Sequence, residues 1–369
     1  MLLSFVYFCS TSMEEQEKFI YRCFELAQNG AGWVAPNPKV GAVLVYKQQV
    51  IGEGYHSKYG ESHAEVNCLQ SVLPEHRSFI TESTLYVNLE PCCHFGKTPP
   101  CTDLIIQSGI KKVVISNTDP FPQVKGGGIQ KLAAAGITVV TDVLANTGNW
   151  LNRRFFTMQT QNRPYIILKW AQTQDGFIGA LQDDRLIISN ELTQRKVHRW
   201  RAAEAAILIG FRTALLDNPQ LTNRLVPGKQ PVRLIIDPLK KLPMKLQVFS
   251  DNLDTTIINC KDSISVGTAL SWQYVGEDWV EGVIQYCCEK AIESILIEGG
   301  AATLQSFIDR GYWNEIRRIT NTAHSIGSGV LAPLITLSNP NFSEKTGNDI
   351  IEYWVNPQNQ IGIPNWLFM

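Results

Sequence analysis

The sequence predicts two α/β domains in tandem. Apolar, strand-like runs alternate with short helical patterns along most of the 369 residues, which is typical of sheets covered by helices on both faces. The length exceeds what one hydrophobic core usually supports. The alternation also starts afresh near residue 163, after a polar stretch. We therefore expect a first domain at 13–158 and a second at 163–369.

The first domain is predicted to begin with an amphipathic helix at about 13–28 and a Gly/Pro-rich loop. Two strands then pair through a tight turn near Lys47 and Gln48, and Gly109 is the predicted end of a later helix. The elements after the first helix are, in order, strands KVGAVLVY and VIGEGYH, helix SHAEVNCLQSVL, strand TLYVNLE, helix CTDLIIQSG, strand KKVVISN, helix GGGIQKLAAAG and strand ITVVT.

The second domain shows the same alternation. Its predicted strands are RPYIILKWA, AAILIG, VRLIID, TTIIN and SILIEGG, with helices at about 189–202, 279–290 and 302–310. No element is predicted for the Asn/Pro-rich tail beyond about residue 335. The order of strands and helices again predicts a covered α/β sheet.

Composition and cysteine usage restrict the environment of the protein. The formal net charge of -1 argues against non-specific nucleic-acid binding, which needs a basic surface. No apolar run is long enough for a membrane span, and we expect residues 1–12 to be a disordered or mis-started extension. Two adjacent cysteine pairs, at 92–93 and 287–288, do not suit a disulfide framework, so we expect a reducing, cytoplasmic location.

The most specific pattern in the first domain combines three metal-ligand side chains with one carboxyl group. His63 and Glu65 stand in the sequence HAE, and Cys92 follows Pro91 after a predicted strand. Zinc base deaminases use H-x-E, then Pro-Cys and a later cysteine, with the Glu as acid/base and not as a ligand. The later cysteine here is Cys101, at a predicted helix start, where the macrodipole favours a thiolate.

His63 and Glu65 can share one site only if a helix begins there, because positions i and i+2 diverge in the middle of a helix. Ser62 is the predicted N-cap of that helix. A zinc ion that activates water needs three protein ligands, an open fourth position and a group that moves protons. The sequence therefore predicts zinc bound by His63, Cys92 and Cys101, with Glu65 as the catalytic acid/base.

Other interpretations of these residues remain open at this point. Ser62 and Glu65 could form a capping box that only closes the helix start, and His63 could be a surface residue. Cys93 or His94 could complete a closed, structural zinc site. An enzyme acting on a nucleic-acid base would use the same ligands, but it needs a basic groove and stacking aromatic side chains.

The nine-residue step from Cys92 to Cys101 departs from the usual base-deaminase spacing. Over about 13–158, the segments PNPKVGAVLV, GYHSKYGESHAEVNCL, LEPCCHFGKTPPCTDLI and DPFPQVKGGGIQKLAAAGI resemble the deaminase half of the bifunctional riboflavin-biosynthesis deaminase/reductase family. The resemblance implies a cytidine-deaminase-like three-layer α/β/α domain. It also implies that activated water displaces the 2-amino group of 2,5-diamino-6-(5-phosphoribosylamino)pyrimidin-4(3H)-one, with Glu65 moving the proton.

The resemblance also assigns substrate contacts in this half. Lys97 and Thr98, in the loop between the two cysteines, match positions that contact substrate, and we expect them near its phosphate. Asn37 and His56 match residues of the pocket. Taken by themselves, Asn37 could belong to a simple turn and Lys97 could be a solvated loop charge.

The segments RPYIILKWAQTQDG, HRWRAAEAAILIGFRTALLDNPQLTNR and PVRLIID resemble the reductase half of the same family, whose fold is similar to dihydrofolate reductase. This resemblance implies NADPH-dependent reduction of the ribosyl group of 5-amino-6-(5-phosphoribosylamino)uracil to ribityl, with the cofactor carrying the chemistry. We also expect phosphorylated pyrimidines as the substrates and a homo-oligomer, either a dimer or a tetramer.

The resemblance assigns a ligand contact to twelve residues of this half, by position. In IEGGAATL two glycines stand between a strand and a helix, where free N–H groups can hold a phosphate. The implied NADPH contacts are Ala171, Thr213, Asp217, Gly299, Gly300, Ala301 and Ala302. The implied substrate contacts are Lys169, Arg201, Leu221, Arg224 and Glu298.

Some of these residues have simpler interpretations. Two arginines suit a sugar phosphate, but Arg201 and Arg224 could be surface ion-pair partners, and Asp217 could belong to a turn. Arg185 and Ile187 stand where the family often has Ser and Trp. The departure puts contacts at those two positions in doubt, so neither is included in the predicted site.

Overall fold

The computed structural model describes residues 14–95, 99–121, 125–181, 186–260, 264–266, 270–337 and 339–358. They form two compact units that divide between Asn152 and Arg153. Each unit has its own sheet and its own hydrophobic cores. Within these ranges, no helix is long and apolar enough to cross a membrane.

The first unit is a five-stranded sheet with helices on both faces. Its strands are β1 (Gly41–Tyr46), β2 (Gln49–Tyr55), β3 (Thr84–Leu89), β4 (Lys112–Asn117) and β5 (Thr138–Val140). Its helices are α1 (Glu15–Gln28), α2 (Ala64–Gln70), α3 (Cys101–Gln107), α4 (Gly127–Ala134) and α5 (Ala145–Leu151), with a 3-10 helix at Pro74–Glu82. The strand order is β2-β1-β3-β4-β5, in which β1 is antiparallel to both neighbours and β3, β4 and β5 are parallel.

Alternate residues of β1 explain why both faces of this sheet are covered. Val43 and Val45 belong to a core with Phe24 of α1, whereas Ala42 and Leu44 belong to a second core with side chains of α2, α3 and α4. Successive side chains of a strand point to opposite faces, so a strand that is apolar at every position must be buried on both sides. The predicted three-layer α/β/α arrangement of this half is confirmed.

Two turn predictions for this unit are confirmed by the backbone. Lys47 and Gln48 both have positive φ, 43° and 70°, as a two-residue hairpin turn requires. Gly109 follows α3 with φ of 76°, the left-handed conformation in which helices commonly end.

The prediction of Ser62 as the N-cap of α2 is wrong. His63 occupies the N-cap, in an extended conformation, and the helix has no side-chain capping hydrogen bond. A capping box with Glu65 is therefore absent as well. The backbone carbonyl of Ser62 contacts the ring of His56 instead, at 3.1 Å from Nδ1.

The second unit is built on a ten-stranded sheet. Its strands, with one separate pair, are β6 (Tyr165–Thr173), β7 (Phe177–Gly179), β8 (Ala206–Ile209), β9 (Val232–Ile236), β10 (Thr255–Asn259), β11 (Ile264–Val266), β12 (Leu270–Tyr274), β13 (Ser294–Gly299), β14 (Glu315–Asn321), β15 (Val330–Leu331), β16 (Phe342–Thr346) and β17 (Asp349–Val355). The order is β11-β12-β10-β9-β8-β13-β6-β14-β17-β16, and β7 pairs with β15 outside this sheet. The strands from β12 to β14 in that order are parallel, and the edge strands are antiparallel.

Helices cover both faces of the ten-stranded sheet. They are α6 (Arg153–Gln161), α7 (Glu191–Ala203), α8 (Phe211–Asp217), α9 (Trp279–Glu289) and α10 (Ala301–Asp309), with a 3-10 helix at Gln247–Phe249. Strand β8 shows the same division as β1, because Ala206 and Leu208 pack with α9 and α10 while Ile207 and Ile209 pack with α8. The central parallel strands are therefore buried on both sides.

The tail beyond residue 335 contains strands that the sequence analysis missed. Strand β17 pairs with β14 over seven residues, and its Ile351 and Trp354 are buried. Asp349, at its start, accepts hydrogen bonds from Asn190 and Asn321. The sequence before these strands is rich in Asn and Pro, and this composition concealed the alternation that follows it.

Helix α6 packs with the second unit. Arg153 pairs with Glu315 at 2.9 Å, and Arg154 donates to Glu204 at 2.6 Å. Both carboxylates are buried. The chain therefore divides shortly before the predicted limits of 158 and 163. The sequence of α6, RRFFTMQTQ, is largely polar and resembles a linker, and its ion pairs with distant residues cannot be read from the sequence.

Candidate active sites

Three side chains converge at the starts of two helices in the first unit. His63 precedes α2, Cys92 lies in the loop after β3, and Cys101 is the first residue of α3. Nδ1 of His63 is 3.3 Å from Sγ of Cys101 and 3.6 Å from Sγ of Cys92. The candidate ligand atoms of all three lie within 4.8 Å of one another. One imidazole and two thiols at this spacing fit zinc with a fourth position open.

Contacts within this cluster favour a thiolate, the form of cysteine that binds zinc. Hydrogen bonding to Cys101, and then to His63, lowers the pKa of the Cys92 thiol well below its usual value. The backbone N–H of Cys101 also donates to Sγ of Cys92 at 3.3 Å. The interaction with Cys92, together with burial, raises the pKa of the Cys101 thiol. The donor chemistry therefore fits zinc as well as the spacing does.

Glu65 lies beside the cluster in the first turn of α2. It is 3% exposed, and burial, followed by the charge at Cys92, raises the pKa of its carboxyl group to about 6. The carboxyl group also interacts with the Cys101 thiol. Within the described residues, the group of candidate ligands consists of His63, Cys92 and Cys101 and does not include Cys93 or His94.

Asn37 and His56 form one wall beside the histidine ligand. Nδ2 of Asn37 is 3.1 Å from Nε2 of His56, and Nδ1 of His56 is 3.1 Å from the carbonyl of Ser62. Since an amide N–H donates and a carbonyl accepts, His56 carries its proton on Nδ1. The rings of His56 and His63 are 5.4 Å apart. The structure thus brings both predicted pocket residues to the metal cluster, whereas Lys97 and Thr98 lie outside the described residues.

The sequence analysis missed the residue that fixes the loop carrying Cys92. The carboxylate of Glu90 accepts four backbone hydrogen bonds, from Asp119, Gly126, Gly128 and Ile129, at 2.9–3.1 Å. It is 4% exposed. A buried carboxylate is stable only when it is fully hydrogen-bonded. The signal that could have identified it is a Glu that ends an apolar strand immediately before Pro-Cys.

The second unit contains a cavity of about 880 Å³. It lies at the carboxyl ends of β8 and β13, beside the second half of β6, and residues of α7, α8 and α10 also line it. The carboxyl ends of the strands are the usual place for ligands in an open α/β sheet. All twelve predicted residues of this half line it: Lys169, Ala171, Arg201, Thr213, Asp217, Leu221, Arg224, Glu298, Gly299, Gly300, Ala301 and Ala302.

A buried ion cluster forms one part of the cavity wall. Arg201 binds both oxygens of Glu298, through Nε at 2.6 Å and Nη2 at 2.7 Å. Nζ of Lys169 is 3.6 Å from the same carboxylate. Burial favours the neutral form of Glu298, but Arg201 and Lys169 outweigh it and lower the carboxyl pKa to about 2. Arg224 also lines the cavity and forms no ion pair with any described residue.

The turn between β13 and α10 forms another part of the wall and must be made of glycine. A Cβ at position 299 would meet Cγ2 of Thr213 at 2.8 Å, and Gly300 has φ of 78°. The turn presents backbone N–H groups at the start of the nine-residue helix α10, which suits a phosphate. These features and the cavity volume fit NADPH. Ile187 also lines the cavity, and Arg185 lies outside the described residues.

The comparison with known sequences gives the same interpretation. Over 309 residues the chain is 39% identical to the riboflavin biosynthesis protein RibD of Aquifex aeolicus, an alignment that covers 82% of this chain and 86% of that protein. The chain belongs to the RibD family. RibD of Actinobacillus pleuropneumoniae is 35% identical over 309 residues, covering 81% of each chain.

Both halves of a RibD protein are present. Residues 13–117 match the cytidine and deoxycytidylate deaminase zinc-binding region, and residues 164–329 match the RibD C-terminal domain. The crystal structure of a diaminohydroxyphosphoribosylaminopyrimidine deaminase/5-amino-6-(5-phosphoribosylamino)uracil reductase from Thermotoga maritima superposes with a TM-score of 0.83 at 36% identity, covering 93% of this chain and 99% of that one. The predicted order, a cytidine-deaminase-like domain followed by a dihydrofolate-reductase-like domain, is confirmed. The chain is a bifunctional deaminase and reductase of riboflavin biosynthesis that uses zinc and NADPH.

Proposed function

We propose that this RibD-family enzyme catalyses two consecutive steps on phosphorylated pyrimidines. The first is hydrolytic deamination of 2,5-diamino-6-(5-phosphoribosylamino)pyrimidin-4(3H)-one. The second is NADPH-dependent reduction of the ribosyl group of 5-amino-6-(5-phosphoribosylamino)uracil to ribityl. The observation that carries the proposal is that one chain combines a buried Glu65 beside three zinc-type ligands with a separate cavity lined by all twelve residues implied for the reductase.

In the deaminase site, His63, Cys92 and Cys101 would hold zinc, which supplies a Lewis acid that activates water. Glu65 takes a proton from the attacking water and delivers it to the departing amino group, which leaves as ammonia. Its burial at 3% exposure keeps bulk water away from this transfer.

Asn37 and His56 orient the pyrimidine. Because Nδ2 of Asn37 contacts His56, its Oδ1 is the amide atom that remains to accept from a pyrimidine N–H. His56 is thus a positioning residue that fixes the orientation of the Asn37 amide. We assign Lys97 and Thr98 to the substrate phosphate, because both stand in the loop that joins the two cysteine ligands.

In the reductase site, the turn from Gly299 to Ala302 would hold the phosphate of NADPH through its N–H groups, and Ala171, Thr213 and Asp217 would complete the cofactor contacts. The bound cofactor would supply the hydride for reduction at C1' of the opened sugar. Lys169, Leu221 and Glu298 position the sugar, while Arg201 and Arg224 bind the substrate phosphate. Arg224 can do so as a forked donor, whereas Nε and Nη2 of Arg201 already donate to Glu298.

We also propose a homo-oligomer, a dimer or a tetramer, located in the cytoplasm and without a nucleic-acid partner. The eight cysteines of the described residues are all free thiols, which supports a reducing compartment. Light scattering of the purified enzyme tests the oligomeric state.

One assay tests the proposed function. The purified enzyme is given the phosphorylated diaminopyrimidine and NADPH, and ammonia release and NADPH oxidation are followed separately. We expect ammonia first and an equal amount of oxidised cofactor afterwards. Ammonia without oxidation would refute the reductase activity. Turnover of cytidine or of single-stranded DNA, in place of the phosphorylated substrate, would favour a nucleoside or nucleic-acid base deaminase.

A further inference from the structure

A histidine that the assigned contacts leave out lies in the wall of the reductase cavity. His198 is on α7, three residues before Arg201, so the two side chains lie on the same face of the helix. It lines the cavity and is only 4% exposed. The residue therefore belongs to the part of the wall that holds Arg201 and Glu298.

The hydrogen-bonding capacity of His198 is only partly used within the described part of the chain, where its ring interacts with the backbone of Asn223. Its Nδ1 is buried and has no hydrogen-bond partner there. Buried polar atoms are almost always paired, and the exceptions call for a ligand or an ordered water.

The charges that face His198 keep its ring neutral. Burial, and then the positive charges of Arg201 and Arg224, lower its pKa to about 4, against smaller opposing contributions from Glu298 and the backbone of Asn223. A neutral imidazole adds no positive charge to a phosphate site that already has two arginines. It is well suited to a hydroxyl group, which can donate to one ring nitrogen or accept from the other.

We propose that Nδ1 of His198 hydrogen-bonds a sugar hydroxyl of the reductase substrate and is a substrate-binding residue of this cavity. The inference rests on the proposed reductase function. It divides the recognition of a phosphorylated sugar between two kinds of group: Arg201 and Arg224 bind the phosphate, and His198 distinguishes a chain of hydroxyls from an apolar one.

Three variants test the role of the Nδ1 atom. His198→Asn places an amide atom near the position of Nδ1, His198→Gln places one near Nε2, and His198→Phe removes both nitrogens. We expect the KM of the uracil substrate for NADPH oxidation to rise about tenfold in the Phe and Gln variants and by less than about threefold in the Asn variant. The Kd of NADPH should stay unchanged, which reports correct folding of the second unit, and ammonia release should also stay unchanged because its site lies in the first unit.

Substrate analogues identify the partner hydroxyl. The 2'-deoxy and 3'-deoxy forms of the substrate are compared on wild type and His198→Phe. If the 2' or the 3' hydroxyl is the group that bonds His198, the analogue without it should have a higher KM with wild type. The same analogue should show no further rise in KM with the Phe variant, because that variant has already lost the interaction. Additive effects for both analogues would contradict the proposal.

A buried water is the alternative that the variants must exclude. Oδ1 of Asn223 is also unpaired, and that residue is 1% exposed, so a water between it and His198 would satisfy both. The His198 variants would then lower thermal stability without changing KM, and the proposal would be overturned. If wild type itself fails to oxidise NADPH with this substrate, the proposed reductase function is wrong. If wild type is active and the His198 variants have the same KM, only the role of His198 is wrong.

Discussion

The deaminase site takes its metal ligands and Glu65 from positions 63 to 101, all at or near the starts of two helices or in the loop after β3. The reductase site draws on residues from position 169 to 302, and most of these are common core or turn residues. In the first site, the three ligand atoms must lie close enough together to bind one metal ion. In the second, many groups share the work of holding two ligands.

This difference predicts how each site responds to substitution. Loss of one ligand or of the proton carrier should abolish the first reaction. Loss of one cavity residue should weaken the second reaction in proportion to that residue's own contacts. The two sites also lie on one chain, so each activity serves as the internal control for the other.

The largest expected effect is at a metal ligand. Cys101→Ser should lose zinc and reduce deamination by at least about a thousandfold, because the thiolate is a direct ligand and the metal activates the water. Cys93→Ser is the matched control and should keep one zinc per chain and normal ammonia release. Metal analysis and the ammonia assay check both. Zinc loss in the Cys93 variant would instead indicate a closed structural site.

Glu65→Gln should separate catalysis from metal binding. The amide cannot carry a proton, so we expect ammonia release to fall by about 10²–10⁴-fold while zinc content stays at the wild-type level. NADPH oxidation, assayed with the deaminated uracil substrate, should be unaffected. Full deaminase turnover in this variant would refute the assigned role of Glu65.

A graded effect is expected in the reductase cavity. Arg201→Lys cannot reproduce the two bonds that the guanidinium makes to Glu298, so the KM of the uracil substrate should rise about tenfold. Arg318→Lys is the matched control, since Arg318 pairs with Glu352 at 2.8 Å but is more exposed. We expect less than about a twofold change there. Equal effects in both variants would mean that Arg201 acts only through general stability.

Glu90→Gln tests the support of the metal loop. The carboxylate of Glu90 accepts hydrogen bonds from four backbone N–H groups. The NH2 group of a glutamine would face some of these N–H groups and could not accept from them. We expect the free energy of unfolding to fall by about 2 kcal/mol. Glu82→Gln, at an exposed site, should change it by less than about 0.5 kcal/mol. Denaturant unfolding followed at the first unit measures the difference.

The smallest expected effect is the pH dependence that Glu298 contributes. Its pKa is about 2 in the folded protein, against 4.5 for the free carboxyl group. The lowered value means that its stabilising contribution is complete above pH 4.5 and is lost as the pH falls toward 2. Between pH 4.5 and 3.5 wild type should lose about 1 kcal/mol more than Glu298→Gln. If the free energy of unfolding of the two proteins fell equally between pH 4.5 and 3.5, the assigned ion cluster would be contradicted.

The metal site could be predicted from the sequence because its chemistry permits few residue types. His63, Glu65, Cys92 and Cys101 stand in a pattern that has little other use, and the structure brings them together. The prediction of Ser62 as the cap failed because a Ser before a helix is only a statistical preference, and the backbone at His63 is still extended, so the helix begins one residue later.

The prediction of the reductase site depended more on the family resemblance than on any local sequence pattern. Gly299 and Gly300 indicate a turn, but nothing local shows that Thr213 lies against it. His198 could have been suggested by its spacing of three from Arg201. Its unpaired nitrogen is a tertiary property and cannot be read from sequence. The same holds for Arg153 and Arg154, whose buried partners lie far away along the chain.

The four hydrogen bonds to Glu90 have a consequence for metal exchange. They tie the residue two places before Cys92 to the beginning of α4 through the protein's own amides, so the loop does not depend on the ion for its shape. In zinc fingers the ion is the core of the fold, and its removal unfolds the chain. Here zinc should leave to a chelator and return, or be replaced by cobalt, within a folded protein whose second activity continues throughout.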